Sequence, residues 1–203
     1  MNARPTRTKY GGGEMAGRLG RVIGLIAICA ALVGDALPEE SYALYSAIYK
    51  NNSSLEAGEV MGIAEDSSIE PFRENCFKAA TQDEREMVDA ARAAGESHAV
   101  WERRFDFGRD YKLIPAAEKN RAIECVQGYT HGKPLAGCEA YGKMRFVRLF
   151  SVPVFNRDHT RALVEISRVC GGLCGNGSMQ VWRKTRAGWE READSFAKCV
   201  WEY

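Results

Sequence analysis

The sequence predicts an α+β fold, with N-terminal helices packed on a C-terminal antiparallel β-meander. Three observations predict it. Apolar residues recur at helical spacing in the first part of the chain, they alternate with polar ones in the last third, and short turn-forming clusters separate the alternating runs. In chain order, Glu39 to Lys50 places Tyr42, Tyr45 and Tyr49 near one helical face, with Leu44 and Ile48 beside them. It stops at Asn51-Asn52-Ser53-Ser54. Glu59 to Ala64 reads as a strand ending in the polar turn Glu65-Asp66-Ser67-Ser68. Thr81-Gln82-Asp83-Glu84 has capping-box spacing and opens a helix to about Ala94. Met87, Ala91 and Ala94 share one face of that helix, and Gly95 sits where a left-handed C-cap residue is wanted.

His98 to Phe107 is compatible with a short helix or an irregular segment, and Asn120 to Gly128 with a short helix or a strand. Gly/Pro-rich Tyr129 to Gly142 follows. Arg145 to Phe155 is rich in Phe, Val and Leu, and Arg161 to Val169 sets Ala162, Val164 and Ile166 against Glu165 and Ser167. Asn156 to Thr160 is the hairpin turn between them. Met179 to Lys184, Trp189 to Glu192 and Phe196 to Tyr203 supply further strands, with turns at Ala187-Gly188 and Ala193-Asp194-Ser195.

Residues 1–36 read as a secretory signal peptide. Arg4, Arg7, Lys9, Arg18 and Arg21 precede an uncharged run from Val22 to Gly34, and Gly34-Asp35-Ala36 offers small residues for cleavage before Leu37. The run is short against the about 20 apolar residues of a membrane-spanning helix, so no stable span is expected after cleavage. Met15 is an alternative start, because Met15 to Arg21 makes a compact basic region. The remainder, 37–203, is expected to be a single globular domain in the periplasm or outside the cell.

Of 28 basic and 27 acidic residues, five and two lie before Leu37, so the rest carries a net charge of about −2. Such a balance lacks the basic surplus of a nucleic-acid binder. Cys29 leaves with the leader, and Cys76, Cys125, Cys138, Cys170, Cys174 and Cys199 remain, an even set suited to an oxidising compartment. Six cysteines allow fifteen connectivities. Proximity in the chain suggests Cys125 with Cys138, Cys170 with Cys174, and Cys76 with Cys199.

The most distinctive local feature is Cys170-Gly171-Gly172-Leu173-Cys174-Gly175-Asn176-Gly177-Ser178, between two strands. Its glycines predict backbone at positive φ. A disulfide-closed hairpin loop accounts for it. Gly171, Gly172, Gly175, Asn176 and Gly177 also form a candidate loop site whose N–H groups could make an anion-binding nest. A metal site fits poorly, because His98, His131 and His159 are scattered. Redox chemistry departs from the usual C-x-x-C spacing, and a Cys174 nucleophile would need His131 or His159 to meet it in space.

Other matches are dismissed on context. Asp106-Phe107-Gly108 lacks the kinase elements around it, and Gly172 to Ser178 lacks the phosphate-binding lysine of a P-loop. Asn51, Asn52 and Asn176 begin glycosylation sequons that matter only in a eukaryotic secretory path. Trp101, Trp182, Trp189 and Trp201 read as core and sheet-face packing, and Glu165, Glu190 and Glu192 as solvated strand faces.

Phe155-Asn156-Arg157-Asp158-His159-Thr160-Arg161-Ala162-Leu163-Val164, then Cys170 to Gly177, then Arg186-Ala187-Gly188-Trp189, resembles a group of exported bacterial proteins with no known activity. Tyr42 to Ile48 is similar to the start of that group. The likeness covers Phe146 to Trp189, and Cys125, Cys138 and Cys199 are additions to the pattern. It implies export and the α+β fold and assigns no catalytic residue. The expected role is therefore a non-enzymatic binding or scaffold protein of the bacterial envelope, with no cofactor and with partner and oligomeric state open. The alternative is a thiol-based enzyme centred on Cys170 to Ser178.

Overall fold

Helix α1 (Glu39–Lys50) forms where the tyrosine spacing places it and buries Tyr42, Leu44, Tyr45 and Tyr49. The computed structural model describes residues 37–50, 58–67, 73–95, 99–170 and 174–202. The leader expected over 1–36, with Met15, lies outside these, as do 51–57 and His98. Among the described residues no helix is long and apolar enough to cross a membrane.

After α1 come β1 (Met61–Ala64), α2 (Gln82–Gly95), β2 (Tyr111–Ile114), α3 (Lys119–Thr130), β3 (Val147–Phe150), β4 (Val154–Phe155), β5 (Arg161–Val169), β6 (Gly175–Thr185), β7 (Gly188–Arg191) and β8 (Cys199–Glu202). They build one eight-stranded sheet in the order β2-β1-β3-β5-β6-β7, with β4 added to β5 and β8 to β6. The fold is α+β. The last third is the antiparallel meander, and the N-terminal half adds two strands to it in parallel, β1 running parallel to both β2 and β3. Short parallel strands buried on both faces lack alternation, which is why Met61-Gly62-Ile63-Ala64, buried throughout, is a weak pattern and β2 is not evident at all.

Helices cover both faces. Ala162, Val164 and Ile166 of β5 point to α1, while Leu163 points to Met87 of α2. The third helix, α3, resolves the Asn120–Gly128 alternative and lays Ala122, Cys125 and Val126 on Ala64, Ile114 and Val147. The stretch after His98 is irregular. It threads Trp101, Phe105 and Phe107 under α1, where Trp101 stands edge-on to Tyr42 and Tyr45 with centroids 5.3 and 5.4 Å apart. Tyr45 stacks on Phe150 at 4.3 Å. The polar tips are satisfied, since the Tyr45 hydroxyl donates to the Ser151 carbonyl (2.9 Å) and the Trp101 indole N–H to that of Phe150 (3.3 Å).

The capping box is realised at α2. The Glu84 amide donates to Thr81 Oγ1 (3.2 Å), and the Glu84 carboxylate accepts from the amides of Thr81 (3.1 Å) and Ala80 (2.9 Å). Gly95 corrects its expected role. It is the last residue of α2 itself and is not among the glycines at positive φ. Arg161 ties this helix start to the sheet, its Nη2 donating to Glu192 at 2.8 Å and to Glu84 at 3.4 Å. Glu192 and the buried Glu165 are thus packed into the structure, a correction to the solvated faces expected for them.

Candidate anion-binding groove

Strand register brings two arginines face to face. Arg148 of β3 stands directly opposite Arg168 of β5, and Arg168 opposite Asn176 of β6. Directly opposed residues share a face of the sheet, so these three make a row on the α1 side that β8 continues with Glu202, opposite Asn176. Like charges in such positions repel. Ser178, Gln180 and Trp182 continue the same face along β6, with Trp182 opposite Arg191 of β7. Ile48 and Tyr49 at the end of α1 form a wall. The open groove between them has a volume of about 450 Å³.

Arg148 is the unusual member. It is 9% exposed, and its Nε has no hydrogen-bond partner. Its guanidinium lies 4.8 Å from the Tyr49 ring centroid and 4.6 Å from that of Phe146, and Arg168 also approaches Phe146, at 5.9 Å. The aromatic contacts hold the charge electrostatically without hydrogen-bonding all of its donors. Burial pushes the Arg148 guanidinium below its ordinary value. The Tyr49 phenol opposes that shift and the charge of Arg168 adds to it. Burial raises the Tyr49 phenol, and both arginines pull it partly back.

Among the described residues the groove lining holds no carboxylate, although Glu202 of β8 stands directly opposite Asn176 in the same row. Among the arginines, the ion pairs of the described residues use Arg92, Arg104, Arg121, Arg145, Arg157 and Arg161, and none reaches Arg148, Arg168 or Arg191. The polar floor is ordered by an internal relay. The Trp182 indole N–H donates to Gln180 Oε1 (3.1 Å) and Gln180 Nε2 donates to Ser178 Oγ (2.7 Å), which leaves the Ser178 hydroxyl proton to be given elsewhere. The site therefore presents donors and positive charge. Such a surface suits a ligand that is acceptor-only and negative.

The six cysteines stand in pairs at bonding distance. Cys76 and Cys199 are 2.03 Å apart, Cys125 and Cys138 1.88 Å, and Cys170 and Cys174 1.96 Å. Cys174 in this state is no thiol nucleophile. His159 lies at the opposite end of β5, some 30 Å away by strand rise, with Nδ1 2.5 Å from a Glu40 carboxylate oxygen. His131 closes α3, its amide donating to the Gln127 carbonyl at 3.0 Å.

The glycine loop differs from its expected geometry. Gly171 and Gly172 lie outside the described residues, while Gly175, Asn176 and Gly177 belong to β6, with neither glycine at positive φ. Gly177 is required for a different reason. A Cβ there would fall 2.4 Å from both Ser167 Oγ and the Trp201 ring, so the missing side chain lets Trp201 close onto the strand. Of the loop residues expected to form a site, Asn176 is the one that lines the groove.

Arg148, Arg168, Arg191 and Tyr49 were not evident as site residues from sequence. Two signals for them do exist. Arg148 interrupts the apolar run Phe146-Val147-Arg148-Leu149-Phe150, and Arg168 occupies the next inward position after Ala162, Val164 and Ile166. No family model matches the chain, and no curated protein or solved structure matches it either.

Proposed function

We propose that this chain is an exported, disulfide-braced binding protein that captures an oxyanion group between Arg148 and Arg168. The observation that carries the reading is the buried guanidinium of Arg148, set opposite a second arginine, with no ion pair to either among the described residues. A buried charge without a counter-ion is destabilising, and a bound anion supplies the missing partner. Arginine presents a planar fork matched to the oxygens of phosphate, sulfate and carboxylate groups. Asn176 and Ser178 offer further donors, and Phe146 and Tyr49 hold Arg148 in place before the ligand arrives. Export is supported by the basic start, the apolar run Val22 to Gly34, the resemblance to exported bacterial proteins and the pairing of all six cysteines after residue 36.

The test is thermal unfolding of the protein in chloride buffer at fixed ionic strength, with orthophosphate or sulfate titrated in. Ligand at one hundred times its Kd stabilises by about 2.7 kcal/mol, a rise of roughly 5–10 °C for a domain of this size. Arg148→Met should abolish the rise. Equal midpoints in phosphate, sulfate and chloride would refute the reading.

A further inference from the structure

The groove continues well past the arginine pair. From Asn176, beside Arg168, to Trp182, beside Arg191, is six residues of β6, or about 20 Å of strand. Three guanidinium groups line this length, and among the described residues its lining holds no carboxylate, the nearest in the strand register being Glu202 of β8, directly opposite Asn176. A single phosphate group carries about −1.5 to −2 at neutral pH, which leaves part of that charge uncompensated. The floor between the ends offers Asn176, the free proton of Ser178 and the Gln180 relay, so the ligand has to accept along its length. Sugar chains bring hydroxyl donors and peptides bring N–H donors, and the groove lining among the described residues has no carboxylate to receive either.

Resting on the oxyanion reading, we infer that the natural ligand is a linear polyoxoanion, a chain of phosphoryl groups lying along β6 from the Arg148–Arg168 pair toward Arg191. The terminal group sits between the paired arginines. Later groups take hydrogen bonds from Asn176 and Ser178, pass the half-buried Trp182 and end at the exposed Arg191. The volume of about 450 Å³ falls in the range of ordinary ligand pockets, roughly 300–1,000 Å³, and admits one such chain.

Isothermal titration of the protein with orthophosphate, pyrophosphate, tripolyphosphate and a longer linear polyphosphate tests this, at constant ionic strength to hold screening fixed. Each added charge-assisted contact should tighten binding by roughly tenfold until the groove is filled. Arg191→Gln should remove most of the gain seen with the longest chain, whereas Arg186→Gln, in an exposed turn outside the groove, should leave the series as it is. If orthophosphate binds and longer chains bind no tighter, or if Arg191→Gln keeps the full gain, the polyoxoanion is wrong and the single-anion reading survives. A sulfated oligosaccharide or an oligoglutamate that outcompetes polyphosphate of equal charge likewise overturns the ligand class. Failure of every anion, orthophosphate included, sinks the underlying reading instead.

Discussion

Replacing Arg148 by methionine should make the unliganded protein more stable. Methionine fills a similar volume with a flexible apolar chain and removes two unfavourable features at once. The buried Nε without a partner is a donor whose desolvation costs about 1–3 kcal/mol. The opposed Arg168 adds repulsion of roughly 0.2–1 kcal/mol, as for any like pair directly across a sheet. Against these stand the contacts with Tyr49 and Phe146, each worth about 0.5–2 kcal/mol, part of which methionine keeps as sulfur–aromatic packing. The net expectation is a gain of about 1 kcal/mol, or roughly 2–4 °C in midpoint. Circular-dichroism melting and urea titration in chloride buffer, free of phosphate and sulfate, measure it. A variant that loses more than about 1 kcal/mol would show that Arg148 is a structural strut held by its aromatic neighbours, and the argument from an unpaired buried charge would fail.

The remaining predictions concern the frame. Removing the Cys76–Cys199 pair as a double alanine variant should cost about 5 kcal/mol, because it opens a loop of 123 residues, whereas removing Cys170–Cys174 should cost about 2; equal losses in denaturant titrations would contradict the loop-length argument. Gly177→Ala should destabilise by about 1–3 kcal/mol, since its Cβ collides with Ser167 and Trp201, and a neutral result would mean that Trp201 moves away freely. Burial pushes the Glu84 carboxyl up, but the amides of Thr81 and Ala80, the Thr81 hydroxyl and Arg161 bring it below its ordinary 4.5 overall. Its stabilising contribution is therefore complete above that value and fades as pH falls through the lower folded-state pKa. Glu84→Gln should flatten this acid limb, and an unchanged stability profile between pH 6 and pH 3 would exclude the mechanism.

How legible the fold was follows from how each element is stabilised. The capping box at Thr81 to Glu84 and the alternation of Arg161 to Val169 are local patterns, and both elements stand where the pattern puts them. Met61 to Ala64 and Tyr111 to Ile114 are four residues each and owe their strand state to parallel partners distant in the chain. Trp101 and Phe105 are core residues on irregular backbone, which no period reveals. The groove was hidden for a related reason. Arg148 and Arg168 are twenty positions apart, and only the register between β3 and β5 places them opposite each other. The conspicuous glycine loop drew attention to the correct end of the hairpin and to Asn176. Gly177, however, serves the packing of Trp201.

The most direct test of the central claim is a crystal of the oxidised protein soaked in tungstate, a heavy tetrahedral oxyanion, with anomalous difference density calculated at the tungsten edge. The account predicts a peak within hydrogen-bonding reach of the guanidinium groups of both Arg148 and Arg168, absent from crystals of Arg148→Met soaked in the same way. Density confined to other surfaces, or a peak in the groove that persists in the variant, would contradict it.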